Sequence, residues 1–350
     1  MDTSLHDFRN RCQEAMLELL WRQWCSLGVA GHASPASPHR LIDMEALLLA
    51  TTSIGRYEPR LFDEALDWLA AHGSLVNLQR LNNLQRAYGL GDERVLWAMA
   101  AWLASHATQP RWKILAKPTN DDEKALQREP LFLGLNGPAI AAPDPIFLAQ
   151  GLERGVFEPR GMSRPPHPTQ PPNLMVSLRA LIGVSVRVEI ILYLAGSPVA
   201  AHAAEIARAT GYAPRTLQAV LQEMLLSGHL LSQEPVVQRT AKGRRGSHRR
   251  YQVQPTDWAF LTAGAPLPQW TPWASLFAVA RSVMTAIPAP GDKSRHPAVI
   301  SSQLRDTLAA HGQFIAASGL LPQLDLRMEA PGTELVQTLA VRLPTLLASL

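Results

Sequence analysis

Apolar positions in the first hundred residues recur at three- and four-residue spacing, the period of amphipathic helices. Between Leu5 and Leu27 the apolar residues Phe8, Cys12, Met16, Leu19, Leu20 and Trp24 form one stripe. A Gly, Ser, Pro and His loop (GHASPASPHR) follows, and Asp43 is placed to cap the helical run MEALLLATTSIGR. After Glu58-Pro59, the segment LFDEALDWLAAHG carries Leu61, Phe62, Ala65, Leu66 and Leu69 on one face and ends at Gly73, a C-cap residue. SLVNLQRL reads as a short strand, and ERVLWAMAAWLASH as another apolar helix.

Residues 111–158 hold short apolar runs (ILA, LFLGL, IFLAQGL) broken by Pro and Gly. The stretch EPRGMSRPPHPTQPPN then places six prolines in sixteen residues, which forbids regular helix or sheet and predicts an extended connection. Past residue 258, APLPQWTP makes a second proline-rich connection. Helices are expected at Trp273–Ile287, Ala298–Ala317 and Glu334–Leu343, with Pro344 stopping or kinking the last.

The central segment orders its signals differently. LRALIGVSVRVEIILYLAG predicts one strongly apolar helix ending at Gly196, with Leu178, Leu181, Ile182, Ile190, Ile191 and Leu194 available for packing. AAHAAEIARATG predicts a short helix with Ala204, Ile206 and Ala207 inward and a turn at Gly211. Pro214 suits the first position of a third helix, PRTLQAVLQEMLLSG. Leu217, Leu221, Met224 and Leu225 make its core stripe, while Arg215, Thr216, Gln218, Ala219 and Gln222 fall on the other side. Two extended segments, HLLSQEPVVQ and RRYQV, then flank a Gly-containing loop, RTAKGRRGSH.

Charge sharpens this picture. The chain of 350 residues carries a formal net charge of +4, but unevenly. Residues 1–110 hold nine Lys and Arg against twelve Asp and Glu; residues 173–258 hold ten against five. The loop and its borders contribute Arg239, Lys242, Arg244, Arg245, Arg249 and Arg250 with no acid among them, and Ser247 and His248 add polar donors. A basic segment in a near-neutral chain is the footprint of a localised polyanion site. Arg pairs with guanine O6 and N7, Gln with adenine N6 and N7, and the methyls of Thr and Ala suit the thymine methyl.

RVEIILYLAG, AAEIARATGYAPRTLQAVLQEMLLSGHL and the closing RRYQV together resemble the winged helix-turn-helix transcriptional regulators, particularly those of the MarR and ArsR types. The resemblance covers roughly 80 residues. It implies a recognition helix at Pro214–Ser227 and a wing tip near Gly243–Ser247. It departs from those families in the long segment preceding it, and no Cys pair in the motif suggests metal sensing.

Other chemistries find little support. Asp63, Glu64 and Asp67 cluster on one helix without a His or ligand spacing, and are expected to be a solvated face. The eleven histidines form no HExxH or HxH pair, and no GxxxxGK[ST], GxGxxG or GxSxG occurs. Cys12 and Cys25 fit no CxxC site. Trp97, Trp102, Trp112, Trp270 and Trp273 are expected in cores. No run approaches the roughly 18 apolar residues that span a bilayer, and the acids near the N-terminus argue against a signal peptide.

The expected protein is therefore mainly α with a small β wing. Residues 1–157 form a helical N-terminal domain, in which two helices and a short strand would make a degenerate winged helix. Residues 158–172 are a Pro-rich linker, 173–258 the winged helix-turn-helix DNA-binding domain, and 259–350 a C-terminal helical region. The expected function is sequence-specific binding of double-stranded DNA by a cytoplasmic transcriptional regulator, a repressor. It is expected to act as a homodimer joined through the flanking helices, with no enzymatic activity, cofactor or metal and no membrane partner. The rival readings are an antitoxin or defence-system regulator that grips a protein partner through its N- or C-terminal helices, and an enzyme carrying the winged helix as a targeting module.

Overall fold

The computed structural model describes residues 2–107, 109–116, 128–134, 140, 142–197, 199–233, 249–262, 264–289, 295–317, 319–324 and 332–350. In chain order, α1 (Asp2–Ser26), α2 (Met44–Ser53), α3 (Pro59–His72), α4 (Leu78–Tyr88) and α5 (Glu93–His106) precede β1 (Glu129–Pro130), α6 (Pro145–Leu148) and β2 (Leu152–Glu153). Then come α7 (Leu174–Ile182), α8 (Val186–Ala195), β3 (Ala201–His202), α9 (Ala203–Thr210), α10 (Pro214–Leu225), β4 (Leu231–Gln233) and β5 (Arg250–Gln252). Helices α11 (Trp273–Ala286), α12 (Pro297–Ala317), α13 (Leu321–Leu324) and α14 (Gly332–Ser349) complete the chain. The protein is mainly helical, and none of the described helices is long and apolar enough to cross a membrane.

Two compact units emerge, and neither is continuous in sequence. The first joins Met1–Ala36, Asp43–Pro166 and Pro272–Leu350; the second joins Ser37–Ile42 to His167–Thr271. The N-terminal and C-terminal helices, expected as separate regions, thus share one unit. The apolar stripe of α1 explains why: Phe8, Cys12, Met16, Leu19, Leu20 and Trp24 are all buried, and α1 packs on both α11 and α14. Arg22 of α1 donates to the carbonyls of Leu347 and Ala348, capping the free end of α14.

Helix α14 also runs through Pro344 instead of stopping at Leu343. Proline removes the amide that would bind the Ala340 carbonyl, but Arg11 Nη2 donates to that carbonyl at 3.0 Å. A distant side chain replaces the missing backbone donor.

Three more expectations about this unit change. SLVNLQRL is not a strand: Asn77 accepts from the Arg80 amide at 3.0 Å and starts α4. The strand needed for an N-terminal winged helix is therefore absent from that position. Nor are Asp63, Glu64 and Asp67 a solvated face, since Glu64 and Asp67 are buried. Arg154 pairs with Asp63 at 2.8 Å, Arg160 with Glu64 at 2.8 Å, and Asp67 accepts from Gly161 N and Ser163 Oγ. The Pro-rich stretch beyond residue 158 is extended, as its composition requires, but its first part is a strap bound to α3. Gly28 makes the neighbouring approach possible: with φ at 102° its carbonyl accepts from Arg164 N at 2.7 Å, and a Cβ there would lie 2.1 Å from the Arg164 oxygen. Of the five tryptophans expected in cores, Trp102, Trp112 and Trp273 are buried in this unit, and Trp97 is half-buried.

The second unit begins with two helices where one was expected. The apolar segment before Gly196 is two helices, broken where Gly183 takes φ 87°, and Ser185 caps the second by accepting from Arg187 N. Leu181 and Ile182 end α7 exposed instead of packed. One core layer gathers Leu174, Met175, Leu178, Val188 and Leu192 with Leu41, and half-buried Trp270 packs on its edge. Leu41 comes from a segment 130 residues upstream in the chain, held by Leu41 N to Gln269 O at 3.0 Å and Ile42 N to Pro172 O at 3.0 Å. A second layer gathers Ile190, Leu194, Ile206, Ala207, Leu217, Leu221, Leu230, Tyr251 and Val253.

Candidate nucleic-acid interface

The site is built on α9 and α10. His202 caps α9, with its amide donating to Glu205 Oε2 at 2.8 Å, a reciprocal capping box. Ile206 and Ala207 bury their side chains, whereas Ala204, expected inward, is exposed and Ala203 packs in its place. Gly211 closes the helix in the left-handed region at φ 78°, where a Cβ would be strained. Three residues later Pro214 takes the first position of α10, where its missing amide costs nothing.

Helix α10 separates its faces as its periodicity predicts. Leu217 and Leu221 are fully buried, with Met224 and Leu225 packed at the margin of the same core. Arg215, Thr216, Gln218, Ala219 and Gln222 are all exposed. These positions step by one, three, four and seven residues, so they share the outward side of the helix. Twelve residues of α10 give a length of about 18 Å.

Behind α10 the strands form a three-stranded antiparallel sheet in the order β3-β5-β4. The register places Ser232 opposite Tyr251 and Ala201 opposite Tyr251 on its other side. Tyr251 is buried in the core below α10, which points its neighbours Arg250 and Gln252 to the other face of the strand. Arg250 is exposed, with Nη1 donating to the Ala200 carbonyl at 3.1 Å; Arg249 is half-buried, and its carbonyl lies 3.4 Å from His202 Nδ1. The remaining expected contacts, Arg239, Lys242, Arg244, Arg245, Ser247 and His248, lie outside the described residues.

Two features escape a reading by periodicity. Glu223 is exposed on α10 and forms an ion pair with Arg187 of α8, so the one acid on that helix carries its own counter-charge. Arg179 of α7 and Glu189 of α8 are fully buried as a pair, with Tyr212 hydrogen-bonded to the same carboxylate. Neither spacing is a helical repeat, so no local signal marks them.

In the other unit, Asp63, Glu64, Asp67, Arg154, Phe157 and Arg160 line a cavity of about 220 Å³. Burial raises the pKa of Asp63 above its ordinary value, against the pull of Arg154. Asp63, Glu64 and Asp67 are engaged by Arg154, Arg160, Gly161 N and Ser163 Oγ, and among the described residues no group of three or more His, Cys, Asp or Glu is placed to hold a metal ion. Compared with known proteins, the chain matches no family model, no curated protein and no solved structure.

Proposed function

We propose that residues 173–258 are a winged helix-turn-helix module that binds double-stranded DNA in a sequence-specific manner, and that the protein is a cytoplasmic transcriptional repressor. The observation that carries this reading is the exposed row Arg215, Thr216, Gln218, Ala219 and Gln222 on a helix seated by Leu217 and Leu221. Two further features support it. The order helix, short strand, helix, helix, strand, strand, with the first strand pairing the last, suits such a module. The segment also holds ten Lys and Arg against five Asp and Glu.

In this reading α10 lies in the major groove, which is about 12 Å wide and admits one helix. Arg215 pairs with a guanine edge, Gln218 and Gln222 with adenines, and the Thr216 and Ala219 methyls with thymine. The basic segment from Arg239 to Arg250 contacts adjacent phosphates, and one of its arginines enters the minor groove. Two copies related by a two-fold axis would read half-sites about 34–36 Å apart.

The test is selection of bound duplexes by the full-length protein from a random pool, followed by affinity measurements on the enriched sequence. Arg215→Ala or Gln218→Ala should each cost about 1–3 kcal/mol on that sequence and relax preference at one position. Arg244→Ala with Arg245→Ala should weaken binding to every duplex and reduce the salt slope by about one for each phosphate left without its arginine. Enrichment of no sequence, or an Arg215→Ala protein that selects the same sequence equally well, refutes the assignment.

A further inference from the structure

We infer that the buried Arg179–Glu189–Tyr212 triad is a positioning device for the reading helix, and that Tyr212 sets sequence discrimination without touching DNA. The inference rests on the DNA-binding function proposed above. Glu189 receives Arg179 through Oε1, from Nε at 3.0 Å and Nη2 at 2.5 Å. Its other oxygen, Oε2, accepts from the Tyr212 hydroxyl at 2.9 Å. The side chains of Arg179 and Glu189 are 0% exposed and Tyr212 is 7% exposed, so no solvent screens the contacts.

Placement gives the triad its role. Arg179 belongs to α7 and Glu189 to α8, on either side of the Gly183 break. Tyr212 belongs to neither. It sits in the turn that joins α9 to α10, one residue after Gly211 and three before Arg215. A turn whose glycine is free to take several conformations would let α10 pivot on its Leu217 and Leu221 contacts. The hydroxyl of Tyr212 removes that freedom by tying the turn to a carboxylate whose orientation Arg179 already holds. A reading helix must keep its base-contacting atoms within about half an ångström of their place, so a pivot at its first residues degrades base pairing before it affects phosphate contacts.

Tyr212→Phe keeps the ring and its volume and deletes only the hydroxyl. Affinity of the full-length protein is measured on the selected duplex and on a scrambled one at fixed salt, beside wild type and Ile206→Val, a core change in the same unit that leaves the triad intact. The expected result is a loss of about tenfold in the ratio of selected to scrambled affinity for Tyr212→Phe, with scrambled binding unchanged within about twofold and the Ile206→Val ratio at the wild-type value. An unchanged ratio for Tyr212→Phe overturns the inference while leaving the DNA-binding reading in place. Equal loss of ratio in Ile206→Val also overturns it, because general loosening of the unit would then suffice. A wild-type protein without any ratio above one refutes the functional reading itself.

Discussion

Removing the guanidinium of Arg80 tests how far buried charge holds the larger unit together. Arg80 on α4 is 0% exposed and faces two acids of the α2 region: Nη1 lies 2.6 Å from Asp43 Oδ1 and 2.5 Å from Glu45 Oε2, and Nη2 lies 2.5 Å from Asp43 Oδ2. Each acid has a second duty, since Asp43 caps α2 through Ala46 N at 3.1 Å and Glu45 accepts Asn77 N, the amide of the residue that caps α4, at 2.7 Å. In Arg80→Met the side chain still fills the space, but two carboxylates are left buried without a cation. Breaking a buried pair by deleting one partner costs about 3–5 kcal/mol. For a unit of this size each kcal/mol moves Tm by ~2–4 °C, so the unit should melt roughly 6–20 °C earlier. The assay is calorimetry, with the fluorescence of the buried tryptophans Trp24, Trp68, Trp102 and Trp112 assigning the transition to this unit. The variant Asp43→Asn, Glu45→Gln, Arg80→Met keeps both capping acceptors and removes all three charges, and should recover most of the loss. An Arg80→Met protein that melts within about 2 °C of wild type would refute the reasoning.

Other outcomes follow from the same physics. His311 is buried with its ring stacked 5.5 Å from that of Tyr88, and burial lowers its pKa below the usual 6.5, as it does for His72. The unfolded chain then binds protons that the folded one refuses, so stability holds above pH 6.5 and is lost as pH falls below it; His311→Gln should flatten that loss in pH-dependent melts. Asp67→Ala deprives Gly161 N and Ser163 Oγ of their acceptor, at about 0.5–1.5 kcal/mol for each bond, and should make the strap near residue 161 the first site of limited proteolysis. Burial pushes the fully buried Cys12 thiol up to about 12, so it should not alkylate at pH 8 in the native protein; burial raises half-buried Cys25 as well, so it should alkylate more slowly in the native protein than in denaturant, where both react.

What the amino-acid order determined alone is what a helix decides within a few turns. The two faces of α10, the Asp43-capped start of α2 and the stripe of α1 all follow from spacing and capping, because residues three and four apart share a surface whatever lies opposite. The outward row from Arg215 to Gln222 was legible for that reason. Tertiary structure decided where charge is buried and which segments belong together. Glu64 meets Arg160 across 96 residues, and Arg80 meets Asp43 across 37, so neither burial leaves a periodic mark. Leu41 enters the smaller unit's core from far upstream, and Pro344 stays helical because Arg11 supplies a donor from the other end of the chain. Side-chain spacing reports only the near face of an element; its fate depends on partners that the fold delivers from elsewhere in the chain.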